Sequence, residues 1–435
     1  MRTDREMTLS SAEKMQHQEP FKRVAPLLSA ALLLGAGGGF ALATVLTLTQ
    51  LLQVSLGSWW PALAQAHGHL QLYGWAGLFV LGVALHFLPR LRGAPLIVPK
   101  LVPWILGAQV TGLLVRATSQ PLFAATGVPI WGVLLVTSGA LECAALVGAV
   151  WLLGMTVWRG PSLATQPTFL GVLPFLVGGF SALGLASVVN LLNMVLAVTA
   201  AGLVPGTSDD LNVTLGLLGF LVPIALAMSA QSLPMYAGLE AFPRRILWPL
   251  AGIYFTGLVL VSVGTSSGSQ QAVWPGVLEG LGMPLMGSVL LIFIGVFMRM
   301  MRLRGKLPQR VAQVAPSPEA AARAYHQRIS AERRAYGPFV ALVASAYLWA
   351  MLGGAMLVVD GVTMLIGGAP FFAIDALRHS LAIGFIALLI CGIAPRMIPG
   401  FSGGKLHHQD WYEQRSCSAI QRYSCAWKHS SWHPY

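Results

Sequence analysis

Three histidines in two separate apolar segments are the residues best suited to chemistry in this sequence. His67 and His69 stand at the start of one segment, and His379 stands at the start of another. Ionisable residues in a membrane are costly to bury and are therefore candidates for function. Imidazole nitrogens are common metal ligands, and haem iron can take one axial nitrogen from each side. Two histidine-bearing helices that face each other would provide such a site.

The two segments also share a sequence pattern. With His69 set over His379, both follow H-x4-G-x7-G-x6-P, ending at Pro89 and Pro399. Internal repeats are common in membrane folds, and glycines would let a flat macrocycle approach the backbone. The pattern predicts His69 and His379 as axial haem ligands near one membrane face. His67 is the alternative to His69, because residues two apart point about 200° apart on a helix. Simple placement of these histidines at the water interface is the other interpretation.

Two further ionisable residues lie within apolar segments. Glu142 is near the middle of its segment, where a buried carboxylate would either relay protons or fix helix packing through a hydrogen bond. His86 lies about 25 Å along the helix from His69, and interfacial hydrogen bonding is its expected role.

The composition restricts the class of protein that can position these residues. The chain has 435 residues, of which 55% are hydrophobic and 10% are charged, whereas soluble domains have about 25% charged residues. This composition excludes a soluble globular domain, a disordered chain and a coiled coil. The net charge of +12 is spread over loops rather than gathered on a soluble face. We therefore expect membrane lipid, and no nucleic acid, as a partner.

The hydropathy predicts an all-α polytopic membrane protein with about ten transmembrane helices. The predicted spans are 24-52, 68-89, 101-119, 128-157, 169-203, 211-233, 246-264, 276-298, 338-366 and 379-399. A polar arm, 1-23, precedes the transmembrane domain, 24-400, which includes a basic loop at 299-337. That loop is expected to be a helical connector near lipid headgroups, with partner docking as the alternative.

The polar tail, 401-435, differs sharply in composition from the rest of the chain. It is rich in Gln, Ser, His and Trp and contains no apolar run. We expect that the chain is shortened here or that this segment is translated in an altered frame.

The histidine segments resemble the NnrS family and, more distantly, subunit I of the haem-copper oxidases. The resemblance covers two segments, from His67 to Gly93 and from His379 to Gly403. It implies a haem-containing integral protein of the inner cell membrane with a redox or nitric-oxide-related role. It also implies copper, an electron-donor protein, and Arg90 and Arg396 at the inner ends of the two spans. The chain departs from the family at Phe401, where a histidine is common, and in having ten spans instead of twelve.

Neither the motifs nor the resemblance assigns a catalytic residue. Superfamily reductases need three histidines around a second metal, and the predicted spans contain no such cluster. A single-haem electron-transfer, sensing or protective role therefore stays open. A transporter or a structural membrane subunit without a cofactor is the alternative.

The distribution of basic residues yields the first testable prediction. With both termini cytoplasmic, 25 of the 27 Lys and Arg residues lie on the cytoplasmic side, and only Arg116 and Arg378 do not. Reporter fusions after Ser208 and Gly268 should therefore report the outside, and fusions after Arg159 and Ala315 the inside. A reversed pair of reporters would contradict the ten-span topology.

Overall fold

The computed structural model confirms an all-α polytopic fold. It describes residues 11–237, 239, 241–267, 274–302, 317–336 and 339–402, and these contain no β-strand. Ten helices in these ranges are long and apolar enough to cross a membrane. We number them as spans 1 to 10: Phe21–Leu51, Trp59–Arg92, Leu101–Thr126, Pro129–Trp158, Pro167–Thr199, Gly206–Pro234, Arg244–Ser266, Trp274–Arg302, Ala341–Leu365 and Ile374–Pro395.

Several helices extend further than hydropathy predicts. Span 2 begins at Trp59 instead of residue 68, and span 3 ends at Thr126 instead of residue 119. Polar residues near these ends, among them His69, Ser119 and Gln120, are buried within the bundle, so they do not end the helices. His69 therefore lies about 15 Å along its helix from Trp59, deeper than predicted.

The parts outside the bundle are only partly described. The helix leading into span 1 begins at Ser11, within the predicted polar arm. A helix at Pro318–Tyr336 occupies part of the basic loop. Residues 1–10, 303–316 and the tail from 403 onward lie outside the described residues, so the expectations for the tail stay predictions.

Spans 2 and 6 form the centre of the bundle. The most apolar window of each is 78% buried, more than in any other described span. Neighbouring spans pack on one another from 3 to 5 and from 7 to 10, and span 1 packs on span 10. We call the side where span 2 begins the His67 side, and the side where it ends the Arg92 side.

Within the described residues, four spans contain a π-helical segment, in which the turn is wider than in an α-helix. The segments are Leu34–Phe40, Leu70–Gly77, Thr214–Leu221 and Ser380–Ala387, in spans 1, 2, 6 and 10. The segment of span 2 contacts the other three. Two of these segments directly follow His69 and His379. π-Helical turns within α-helices are frequent at functional sites, and these mark one level of the bundle.

Spans 2, 5, 6 and 10 enclose an apolar cavity nearer the Arg92 side. Its volume is about 100 Å³, and Ser232 is the polar residue in its wall. Positions that correspond in the repeat line it together: Phe79 with Leu389, Val80 with Ile390, Val83 with Ile393, and Phe87 with Met397. The repeat seen in the sequence therefore corresponds to a shared orientation of spans 2 and 10.

Small residues bring the peripheral spans into close contact. A Cβ atom added at Gly287 of span 8 would lie 2.5 Å from the carbonyl oxygen of Gly354 in span 9. The same addition at Gly295, on another face of span 8, would meet no atom within 4 Å. Close backbone approach at small residues is the usual mode of helix packing in membranes.

This difference between two glycines of one helix yields the second prediction. Gly287→Val should destabilise the protein by about 1–3 kcal/mol, because the side chain overpacks the contact with span 9. Gly295→Val has the same change in composition and should cost much less. Thermal unfolding of both variants in one detergent measures the difference, and equal losses would contradict this packing.

Candidate functional site

His69 is buried and engaged by the protein through both ring nitrogens. Its Nε2 lies 2.6 Å from Oε2 of Glu142 in span 4, and its Nδ1 lies 2.8 Å from the guanidinium of Arg116 in span 3. Its ring also packs on the ring of Tyr73, with 4.7 Å between their centroids. His69 is 6% exposed and Glu142 is fully buried.

These partners determine which nitrogen of His69 carries hydrogen. The guanidinium of Arg116 can only donate hydrogen bonds, so Nδ1 of His69 accepts and carries none. Nε2 therefore carries the hydrogen and donates it to Glu142. Neither nitrogen has a lone pair left for a metal ion.

His67 and His379 have the opposite arrangement. Nδ1 of His67 lies 2.8 Å from the carbonyl oxygen of Gly39, and Nδ1 of His379 lies 2.7 Å from that of Asp375. A carbonyl oxygen only accepts hydrogen bonds, so both rings carry hydrogen on Nδ1. In the neutral ring the lone pair is then on Nε2, and the hydrogen bonds that the two rings make among the described residues go through Nδ1.

This arrangement is the one that metal-ligating histidines adopt. Such histidines usually donate their other ring N–H to a carboxylate, a backbone carbonyl or water, which fixes the tautomer and the ring orientation. His379 lies close enough to His67 for its charge to act on that ring. The two spans also contact each other through their π-helical segments. His67 is half-buried and His379 is exposed, so the pair lies towards the edge of the bundle.

The geometry thus favours His67, the alternative to His69, as the partner of His379. The sequence pattern favoured His69 with His379, whereas the hydrogen bonds leave His67 and His379 with available Nε2 atoms. The two neighbours point away from each other as a helix requires, His67 towards span 1 and His69 towards spans 3 and 4.

The stripe of span 2 that carries His67 has further unused polar groups. Gln71 and Trp75 follow at intervals of four residues, and the side-chain nitrogens Nε2 of Gln71 and Nε1 of Trp75 are buried without a hydrogen-bond partner. Both side chains lie against glycines of span 1, because an added Cβ at Gly39 or Gly35 would strike them. Buried donors of this kind normally have a partner. Neither donor has such a partner among the described residues.

The glycines of the repeat have a different role from the one predicted. An added Cβ at Gly384 would lie 2.5 Å from the ring of Trp349, and one at Gly82 would lie 3.0 Å from Leu28. Neighbouring spans therefore occupy the space that a macrocycle would need at these two positions. The repeat glycines serve helix packing, whereas Gly68, between the two histidines, has open space beside it.

Arg116 is the site residue that sequence analysis missed. Span 3 was predicted to end at residue 119, which placed Arg116 near a loop, yet Arg116 is 2% exposed inside the bundle. It also donates to Asn190 in span 5 and, at 3.2 Å, to Gln120. The sequence feature that could have identified Arg116 is its position within an apolar run, one span before Glu142.

The polar network extends from Arg116 towards the His67 side. Gln120 donates to Gln65 at 2.7 Å, and Gln65 in turn holds both the N–H and the carbonyl of Val204 in the loop before span 6. Asp209 of span 6 interacts electrostatically with both Arg116 and Arg378. Arg378 pairs with the half-exposed Asp210 at 2.6 Å.

The remaining predicted residues lie apart from this site. His86 is buried and packs edge-on against Phe21, with 5.7 Å between ring centroids. Arg90 is exposed at the end of span 2. The buried Arg92 also lies at that end, where it donates hydrogen bonds to the carbonyl oxygens of Val157 and Pro161. The side chain of Arg396 lies outside the described residues.

The histidine pair stands without a larger metal cluster. In the part of the chain that the structure describes, no three His, Cys, Asp or Glu side chains are grouped so as to hold a metal ion. Comparisons with protein-family models and with curated proteins give no match for this chain. The family resemblance therefore stays a prediction, and the site is argued from its geometry alone.

The buried position of Arg116 yields the third prediction. Arg116→Met should cost about 3–5 kcal/mol of stability, because it leaves the carboxylate and the acceptors around it without their cation. The matched control is Arg378→Met, which removes an ion pair to a half-exposed carboxylate and should cost only about 0–1 kcal/mol. Thermal unfolding of both variants tests this, and similar losses would contradict the network.

Proposed function

We propose that this chain is a haem-binding integral membrane protein with a redox or nitric-oxide-related role. The observation that carries the proposal is the matched state of His67 and His379. Each ring donates its Nδ1 hydrogen to a backbone carbonyl and keeps its Nε2 lone pair, and the two residues lie on contacting spans. Glu142 and Arg116 occupy the nitrogens of His69, which favours His67 as the partner of His379.

Each part of the site has a defined task in this proposal. The carbonyl oxygens of Gly39 and Asp375 orient the two rings and raise the basicity of their Nε2 atoms. The buried N–H groups of Gln71 and Trp75 are suited to donate to acceptor atoms of the bound group. Haem held by two histidines would supply one-electron redox chemistry.

The proposal includes a cellular setting. The bias of Lys and Arg supports a multi-pass protein with both termini in the cytoplasm, and the family resemblance adds the inner cell membrane. The resemblance also adds an electron-donor protein as partner, and copper as a second metal. With two candidate protein ligands, the described site supports haem iron better than copper.

The fourth prediction concerns the optical and electron paramagnetic resonance spectra of the purified protein. The wild type should show a Soret band and a low-spin signal. His67→Ala and His379→Ala should each convert the iron to high spin or lose the haem, because one axial nitrogen is gone. His69→Ala and His86→Ala should keep the low-spin signal.

Free imidazole provides the control for misfolding in this experiment. Added to His67→Ala or His379→Ala, it should restore the low-spin spectrum, because it replaces the missing ligand. Loss of the low-spin signal in His69→Ala but not in His67→Ala would instead favour His69 as the ligand, as the sequence pattern predicts. Absence of a Soret band from wild type reconstituted with haem would reject the proposal in favour of transport or scaffolding.

A further inference from the structure

A groove between spans 4 and 5 lies at the Arg92 side of the bundle. Its volume is about 550 Å³, against about 100 Å³ for the apolar cavity described above. Apolar side chains of both spans line it, together with Leu88 and Arg92 of span 2 and the loop 160–163 that follows span 4. Val177 and Trp158, two of the lining residues, are 55% and 83% exposed, so the groove is open to the surroundings of the bundle.

The shape of the groove suits an acyl chain. Its walls extend from Val150 to Trp158 on span 4 and from Leu173 to Ser181 on span 5, a rise of about 12 Å on each helix. The hydrocarbon part of one leaflet is about 15 Å deep. Gly154 widens the groove, because an added Cβ there would meet no atom within 4 Å. A chain lying parallel to the two spans would therefore occupy the groove over most of one leaflet.

Arg92 places a positive charge in the wall of this groove. Its side chain lines the groove, and the residue is 2% exposed. The guanidinium donates to the carbonyl oxygens of Val157 and Pro161 and to the side-chain oxygen of Gln166. Its Cζ also lies 5.2 Å from the centroid of the Phe169 ring. All of these partners are uncharged, and Arg92 pairs with no carboxylate in the described part of the chain.

The charge of Arg92 therefore has no counter-charge among the described residues. Arg116, which is also buried, has Glu142 and Asp209 close enough to act on it. A buried charge without a counter-charge is costly, so an anion beside Arg92 would be stabilising. The guanidinium can also make a further hydrogen bond, because Nη1 carries two hydrogens and makes one bond, to Gln166.

The end of the groove next to the loop lies at the level of lipid headgroups. Trp158 and Arg159 are exposed at the end of span 4, and membrane proteins place such residues at the boundary between hydrocarbon and water. Ser162 lines the groove and is exposed, so its hydroxyl can donate to an anion. Gly160 lies against the guanidinium, since an added Cβ would be 2.6 Å from Cζ of Arg92. The loop can thus lie close to this charge at the end of the groove.

We propose that the groove binds one phospholipid of the leaflet on the Arg92 side, with an acyl chain between spans 4 and 5 and a net negative headgroup beside Arg92. Basic pockets between transmembrane helices recognise anionic headgroups in this way. A zwitterionic headgroup would bring a cation of its own, for which the lining of the groove offers no carboxylate. The site lies away from the histidine pair, at the other side of the bundle, and does not depend on haem.

The fifth prediction concerns the lipid that stays bound to the purified protein. Native mass spectrometry of wild type, given equal amounts of phosphatidylglycerol and phosphatidylcholine with the same acyl chains, should show one retained phosphatidylglycerol, preferred about five- to tenfold. Phosphatidylglycerol should also raise the midpoint of thermal unfolding more than phosphatidylcholine does. Inorganic phosphate at the same concentration should have a much smaller effect, because it has no chain to fill the groove.

Two glycine substitutions test the groove itself. Gly154→Trp places an indole ring in the groove and should abolish retention of the lipid. Gly107→Trp is the matched control, because Gly107 is exposed on span 3, lies outside the groove and also has no atom within 4 Å of an added Cβ. The control should retain the lipid as wild type does.

Arg92→Met tests the headgroup. This variant keeps the apolar walls and loses the charge, so it should bind the two lipids equally. The substitution also removes the hydrogen bonds that Arg92 makes to the loop and to the end of span 4. If Arg92→Met does not fold, the lipid preference of wild type and the two glycine variants decide the question.

Three results would overturn the proposal. Equal retention of both lipids by wild type would show that Arg92 does not select the headgroup. Equal retention, or equal loss, of lipid in Gly154→Trp and Gly107→Trp would place the lipid outside the groove. Stabilisation by inorganic phosphate equal to that by phosphatidylglycerol would assign Arg92 to a small anion. A wild type without a Soret band would leave these measurements unchanged, so failure of the haem proposal is a distinct result.

Discussion

The guanidinium of Arg116 inside an apolar bundle is the constraint on which the rest of the site depends. A cation in such surroundings requires hydrogen-bond acceptors and negative charge close by. Arg116 obtains them from spans 2, 3 and 5 directly and from spans 4 and 6 at longer range. These contacts fix how the central spans are rotated about their axes. They also fix the hydrogen on His69, because its Nδ1 faces a group that can only donate.

The rotation of span 2 separates two kinds of chemistry on one helix. His69 points into spans 3 and 4, so His67 points to the opposite side and meets span 1. One histidine has both ring nitrogens engaged in hydrogen bonds, to Glu142 and to Arg116. The other keeps a lone pair and is suited to hold a metal. Gly68 is the residue that separates them in the chain.

Hydropathy and charge were sufficient to predict the spans, because ten apolar stretches and the loop charges follow directly from the cost of burying polar groups. They were not sufficient at Arg116 and at the start of span 2, where polar residues find partners inside the bundle and the helix continues past them. The type and spacing of the histidines predicted that their two spans face each other, and these spans do contact each other. The choice between His67 and His69 could not be predicted, since it depends on whether the partner of each Nδ1 donates or accepts. That information lies in spans 1 and 3, far away in sequence.

The π-helical segments of spans 2 and 10 have a further consequence for how this bundle can change. Each wide turn holds an additional residue relative to an α-helical turn, so it offsets the orientation of everything that follows. Both segments lie at the same place in the repeat, directly after His69 and His379, and the offsets are therefore equal. This equality is why Val80 and Ile390, or Val83 and Ile393, face the same cavity. Deletion of one residue from only one of these segments would rotate the part of that span after the segment by about 100°. The residues of that span that now line the cavity would then face away from it. Side chains of the two helices can therefore change independently. The number of residues in their π-helical segments, however, must stay equal if both helices are to line the cavity.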